Sequence, residues 1–348
     1  MKKTIIGLIG IEIDDNYKWK DTLIIDENVA SMDEKEYLKC KEFIKVKYNK
    51  KIDYSKARKI EEKIYGCEEY IYDHEKKTKI YFKNETTCVI ETNQEANEWI
   101  MIMLNIMLLK QNYSIIHAAA VSNEKGALLL PSWGGVGKTA SVAKLIKKGY
   151  KLLGDDMNII DEKGIIYPLP KKFVLYFYHK DLFPEVFSKK GPRCNNFVNN
   201  IYELIKQPIK RVLRCIPGLL AYLRKHNPQS IRVSPVEIFG KDVIGNKTNI
   251  NQIIWIERGN ENSENSAIDY KTIANKAVSV TLNEIFGSNM SAILTMCGFN
   301  QLEITDIFEK MYKIYLEAFK NTQTKYIKIS TMENVSKVAD EVIRSSEE

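Results

Sequence analysis

The chain has 348 residues, 44% of them hydrophobic, and carries 52 basic against 45 acidic side chains for a net charge of +7. That length and apolar content suffice for one large domain or two, and they exclude a disordered or collagen-like chain. Six cysteines (Cys40, Cys67, Cys88, Cys194, Cys215 and Cys297) lack CxxC spacing, which argues against a zinc site or redox pair and suits buried thiols in a reducing compartment.

In chain order, the opening MKKTIIGLIGIEIDD starts basic, but its apolar run is brief and soon meets acids. A strand is expected there rather than a signal peptide. Residues 1–95 read as a small mixed β-rich region: short alternating runs at Phe43–Tyr48, Glu69–Tyr72, Lys79–Phe82 and Thr87–Glu91, with a helix around Tyr54–Lys63. Residues 96–348 read as the second region. Thr92 and Glu95 form a capping box for a helix running through Leu109, whose methionine stripe is expected to be core. Its apolar stretch, Trp99–Leu109, is the longest helix candidate and too short to cross a bilayer, so the cytoplasm is the expected location.

The stretch Gly126–Asp156 carries the most information. Gly126–Pro131 has the length of a strand, and SWGGVGKT (Ser132–Thr139) follows it. Gly134, Gly135 and Gly137 can turn backbone N–H groups inward around a phosphate, with Ser132, Val136 and Ala140 completing the turn and the helix start. Lys138 would reach the β- and γ-phosphates, and the Thr139 hydroxyl would ligate Mg²⁺. Ser132 stands where the strict GxxxxGK[ST] pattern has its first glycine. A helix over Lys138–Lys148 with Gly149 as its stop leads to a second strand, Tyr150–Leu153, expected parallel to the first. Asp155 and Asp156 then sit beside the loop. Adjacent carboxylates point different ways, which suits one as base and the other as Mg²⁺ ligand.

A strand bearing His117, a glycine loop with Lys and Thr, a helix and then GDD: this order resembles the catalytic domain of HPr serine kinase/phosphorylase and its relatives with a phosphoenolpyruvate-carboxykinase-like fold. The resemblance covers about His117–Pro170, and beyond it only the layout agrees. It implies an α/β P-loop nucleotide-binding core, ATP and Mg²⁺ as cofactors, and transfer of the γ-phosphate to a hydroxyl, above all a serine of a peptide or protein. It maps the base to Asp155, the metal-side carboxylate to Asp156, and places His117 close to the phosphates, though a buried, hydrogen-bonded histidine explains that residue equally well. The resembled family forms rings, so a homo-oligomer is among the implied partners. Its downstream signature is only echoed, by VEIFGKDV (Val236–Val243) and WIERG (Trp255–Gly259). Glu237 and Glu257 there are further candidate acids for the metal.

Past the aspartates, Met157–Asp161 and Ile165–Leu169 flank a turn as a hairpin. A basic helical insertion is expected at about 180–230. Within 189–225, nine basic residues (Lys189, Lys190, Arg193, Lys206, Lys210, Arg211, Arg214, Arg224, Lys225) face Glu203 alone, an excess of eight charges. This segment reads as a cover for an acidic substrate or ATP, as a surface for anionic membrane, or as a solvated insertion. Its aromatics are not interleaved with its charges, so nucleic acid is not an expected partner. The chain closes with a helix at Ile304–Phe319, a strand at Lys325–Ile329, and a helix capped within Ser330–Glu333. Two other functions fit the same residues: a nucleotide-gated binding or scaffold module without transfer, and a kinase of a small-molecule or lipid hydroxyl.

Overall fold

The computed structural model describes residues 1–18, 34–190, 230–260 and 264–347. It is a mixed α/β protein, and its chain divides into two compact units, 1–171 with 241–348, and 172–240. Most of the 189–225 segment lies outside the described residues, so the readings placed on it find no structural counterpart here.

The first unit opens with strands β1 (Lys2–Ile5) and β2 (Ile9–Ile13), a short helix α1 (Glu34–Tyr37), and strands β3 (Glu42–Tyr48), β4 (Arg58–Lys59), β5 (Ile64–Gly66), β6 (Ile71–Asp73), β7 (Thr78–Asn84) and β8 (Thr87–Thr92). These form one sheet in the order β1-β2-β3-β8-β7-β6-β5-β4. Instead of a helix at Tyr54–Lys63, the chain makes turns and the edge strand β4. Asp53 accepts the Ser55 amide at 2.9 Å, and Tyr54 stacks on Tyr72 with ring centroids 4.0 Å apart. A local aspartate turn and the stacking of Tyr54 on a tyrosine of β6 therefore override the helical pattern.

Helix α2 (Asn97–Lys110) follows, and every residue from Trp99 to Leu109 is buried, the methionines included. It packs on β2, β3 and β8 on one side, and on the strand β9 (Tyr113–His117) on another. Its polar residues are spent on fixing that position. Asn105 Oδ1 accepts the Ile115 amide at 2.8 Å, and Trp99 Nε1 donates to Asp73 Oδ2 at 3.2 Å. The expected capping box does not form: the N-cap is Ala96, without a side-chain cap, because the Thr92 hydroxyl is taken by Thr78 and by the Gln94 backbone.

The second sheet contains β9, β10 (Ala119–Asn123), β11 (Gly126–Leu130), β12 (Lys151–Gly154), β13 (Met157–Asp161), β14 (Ile165–Tyr167) and, from later in the chain, β17 (Thr248–Gly259), β18 (Glu264–Ala267) and β19 (Gln323–Ser330). Its order is β12-β10-β11-β17-β14-β13-β9, with β19 beside β17 and β18 beside β19. Between β9 and β10 the chain breaks at Ala118. There Asn158 Nδ2 takes the Ala118 carbonyl at 2.9 Å, and the chain changes partner from β13 to β11 and β12. Since β10 is antiparallel to both β11 and β12, those two strands point the same way with β10 between them. Strands β17 and β19 also run parallel to this set. Carboxyl ends thus gather on one side of the sheet, where open α/β sheets place their ligand sites.

Helix α3 (Lys138–Lys147) leaves the end of β11, and β13 and β14 form the expected antiparallel hairpin. In the second unit, β15 (Phe173–Tyr176) pairs with β16 (Ser230–Val233), flanked by α4 (Pro184–Lys190) and by α5 (Pro235–Phe239) with its Ser234 cap. Back in the first unit, α6 (Tyr270–Phe286), α7 (Met290–Gly298), α8 (Ile304–Phe319) and α9 (Val335–Glu347) complete the described residues. Helix α8 has the expected bounds, and α9 begins beyond the expected cap, with Asn334 Oδ1 accepting the Lys337 amide at 2.9 Å. No described helix is long and apolar enough to cross a membrane.

Candidate functional site

The loop between β11 and α3 is fixed by glycine geometry and by neighbours on both sides. Gly135 and Gly137 have φ of 78° and 117°, the left-handed region that side chains avoid. Gly137 is also the N-cap of α3, and a Cβ there would meet Val338 Cγ1 of α9 at 3.1 Å. Gly134 and Gly135 are exposed, while the side chains of Val136 and Ala140 are buried beneath the loop. Ser132 is fully buried, and its Oγ accepts the Ile256 amide at 2.8 Å. The serine that breaks the glycine pattern thus joins the loop to β17. The first turn of α3 contains no acid, so its positive end faces the loop unopposed within its own sequence.

Lys138 is 7% exposed and lies inside the loop. Its ammonium donates to the carbonyls of Ser132 and Trp133, the latter at 3.0 Å, and to His117 Nε2 at 2.9 Å. Three donors meet three acceptors. Burial lowers its pKa to about 8, against the pull of Asp156 and Asp155, which favour the charge. His117 ends β9, opposite Met157, with its amide held by Thr281 Oγ1 of α6 at 3.0 Å. Burial first and the Lys138 charge second push its pKa down to about 4. The ring is therefore neutral, and with Nε2 accepting from lysine, Nδ1 carries the hydrogen. That nitrogen lies 3.3 Å from Asp156 Oδ1 without making a hydrogen bond.

Gly154 admits the aspartate pair by its lack of a side chain, since a Cβ there would lie 2.5 Å from the Met157 carbonyl. Asp155 and Asp156 then diverge as expected. Asp155, 9% exposed, accepts from Thr139 Oγ1 through Oδ2 at 3.0 Å, and its Oδ1 is buried without a protein partner. Burial and then its anionic neighbour raise its pKa to about 7, with Thr139 and Lys138 pulling the other way. The Asp156 side chain is 40% exposed and bonds Lys171 Nζ through Oδ2 at 2.6 Å. Desolvation opposes its charge, but the Lys171 ammonium above all outweighs it, and its pKa comes down to about 2.

The structure thus brings His117, Lys138, Thr139, Asp155 and Asp156 together at the end of β11. Glu257 lies at the carboxyl end of β17, tied to Lys276 Nζ at 3.2 Å and Trp255 Nε1 at 3.3 Å, while Glu237 belongs to the second unit. Sequence reasoning missed Lys171 and Thr281. The hairpin register holds the signal for Lys171: pairing Ile159 with Tyr167 returns the chain past β14 to the level of Asp156. Thr281 comes from a helix remote in sequence and left no local mark.

Among the described residues, no group of three or more His, Cys, Asp or Glu side chains forms a metal cluster. A magnesium ion needs no such cluster, since it commonly takes one or two carboxylates together with substrate phosphates. The unpartnered Asp155 Oδ1, the Asp156 carboxylate and the Thr139 hydroxyl are oxygen donors of that kind. The chain matches no protein-family model and no curated protein.

Proposed function

We propose that the chain is an ATP-dependent kinase of the HPr-kinase-like type, passing the γ-phosphoryl group to a hydroxyl, with a serine of a peptide or protein as the acceptor. The observation that carries this reading is the pairing of Lys138 and Thr139, at the start of a helix after a glycine loop, with two aspartates of different proton affinity, Asp155 on Thr139 and Asp156 on Lys171. A protein that only bound phosphate would need the loop and the lysine but not such a pair.

In this reading the loop amides and the α3 N-terminus hold the phosphates, and Lys138 gives up its carbonyl partners to reach them. Thr139 and Asp156 would hold Mg²⁺, which would supply charge neutralisation when bound. Asp155 accepts the acceptor hydroxyl's proton as the oxygen bonds to the γ-phosphorus, the bond to the β-phosphate bridging oxygen breaks, and ADP departs with the electron pair. A carboxylate whose pKa lies near 7 suits that task, because near neutral pH a substantial share of it is ionised and that share is basic enough to take a proton. His117 acts through Lys138, as a neutral acceptor that keeps the ammonium at the loop.

The test is incubation with γ-labelled ATP and Mg²⁺, with and without a lysate of the source cells. Lys138→Ala should lower transfer by roughly 10²–10³-fold or more, the scale of losing one preorganised charge-stabilising donor. Asp155→Asn should keep ATP binding and lose roughly 10²–10⁴-fold in transfer. Parent-level transfer by either variant would refute the assignment, and ATP binding without any labelled acceptor would favour the nucleotide-gated module.

A further inference from the structure

Two adjacent carboxylates beside a buried loop create a charge problem, and the structure answers it with two different devices. Asp155 is buried and biased toward its protonated form. Asp156 remains an anion and requires a cation. Lys138 adds its charge from nearby but no hydrogen bond, because its three donors are committed to Ser132, Trp133 and His117. The cation present is Lys171, 2.6 Å from Asp156 Oδ2 with its own side chain 24% exposed. Its backbone is well restrained for this, following Pro168 and Pro170, whose rings fix φ where β14 ends.

We propose that Lys171 is a positioning residue, the resident counter-cation of Asp156, holding that carboxylate at the site and yielding it to a divalent cation when the nucleotide binds. The inference rests on the kinase reading for the identity of the arriving cation. Its physical basis is competition for one carboxylate. Each cation weakens the other's hold on Asp156, and such linkage is reciprocal. A partly buried anion also loses more from being left alone than from exchanging partners. Lys171 therefore keeps the site intact between turnovers and raises the metal concentration needed to enter it, so that metal carried in on ATP phosphates has the advantage over free metal.

Mn²⁺ is the probe, titrated into the nucleotide-free full chain and read by electron paramagnetic resonance, with thermal unfolding as the check on folding. Lys171→Met should bind Mn²⁺ about tenfold more tightly than the parent, a factor corresponding to about 1.4 kcal/mol. Lys171→Arg should stay near the parent. In an Asp156→Asn background the Lys171→Met gain should vanish. Equal or weaker Mn²⁺ binding by folded Lys171→Met, or a gain that persists without Asp156, would overturn the proposal. A second measurement avoids mutation: acetylation of Lys171 in the parent, followed by mass spectrometry, should accelerate on adding Mn²⁺, and no acceleration at Mn²⁺ saturation would count against displacement. Failure of the kinase reading would show separately, as a parent that binds no ATP while the Mn²⁺ effects remain.

Discussion

Ser132 is fully buried with its hydroxyl on the Ile256 amide, so replacing it by the glycine that the strict pattern prefers removes a partner from a buried N–H. Ser132→Gly should therefore lower stability by about 1–3 kcal/mol in urea unfolding, the cost of an unsatisfied buried donor. Equal stability would mean that the hydroxyl is dispensable. Asp155 supplies a pH test. Its folded pKa, about 7, lies above its ordinary value of 3.8, so the native state binds the extra proton between those limits. Stability should fall as pH rises from about 4 to about 7 and level off above that. Measured in chelator without nucleotide, Asp155→Asn should gain stability over the parent at pH 8 and lose most of that gain at pH 5. A gain independent of pH would show that Asp155 is not the group titrating. At this scale the sequence was readable where chemistry is local: Lys138, Thr139, Asp155 and Asp156 follow from residue type and short spacing. Lys171 was not, because its approach depends on hairpin register.

The elements around the loop were legible wherever apolar periodicity dominated, as in α3, α8 and the β13–β14 hairpin. They were misread where a polar residue had two possible employers. Thr92 could have capped α2, but it faces Thr78 across β7 and β8, and the ladder takes precedence. The pattern over Tyr54–Lys63 yields to an aspartate turn and a stacked tyrosine pair for a similar reason. The meeting of α3 with α9 is an arrangement that no local pattern announces. Lys144 bonds Asp340 at 2.6 Å and the Ser336 carbonyl at 3.0 Å, Lys148 bonds Glu347, and Val338 packs beneath Gly137. Gly137→Ala combines a forbidden φ with that close approach, and should cost about 1–3 kcal/mol. On the proposed kinase reading it should also weaken ATP binding, measured by calorimetry, since the α3 N-cap would shift. Unaltered affinity and stability would show that the α9 contact does not hold the loop.

Across the whole molecule, the mixed α/β character and the gathering of strand ends around one loop follow from the order of elements. The burial of α2 against both sheets does not, since a uniformly apolar helix carries no marked face. Of the parallel strands β11, β12, β17 and β19, three come from distant stretches, β11 at Gly126–Leu130, β17 at Thr248–Gly259 and β19 at Gln323–Ser330, with α9 following the last. Contacts so remote in sequence form late and slowly. On a ribosome, β11 and its glycine turn emerge long before β17, β19 and α9, with their apolar surfaces still waiting for partners. A chain lacking those later strands would hold an unbraced turn there, because the Ile256 amide and Val338 that flank the loop come only from β17 and α9.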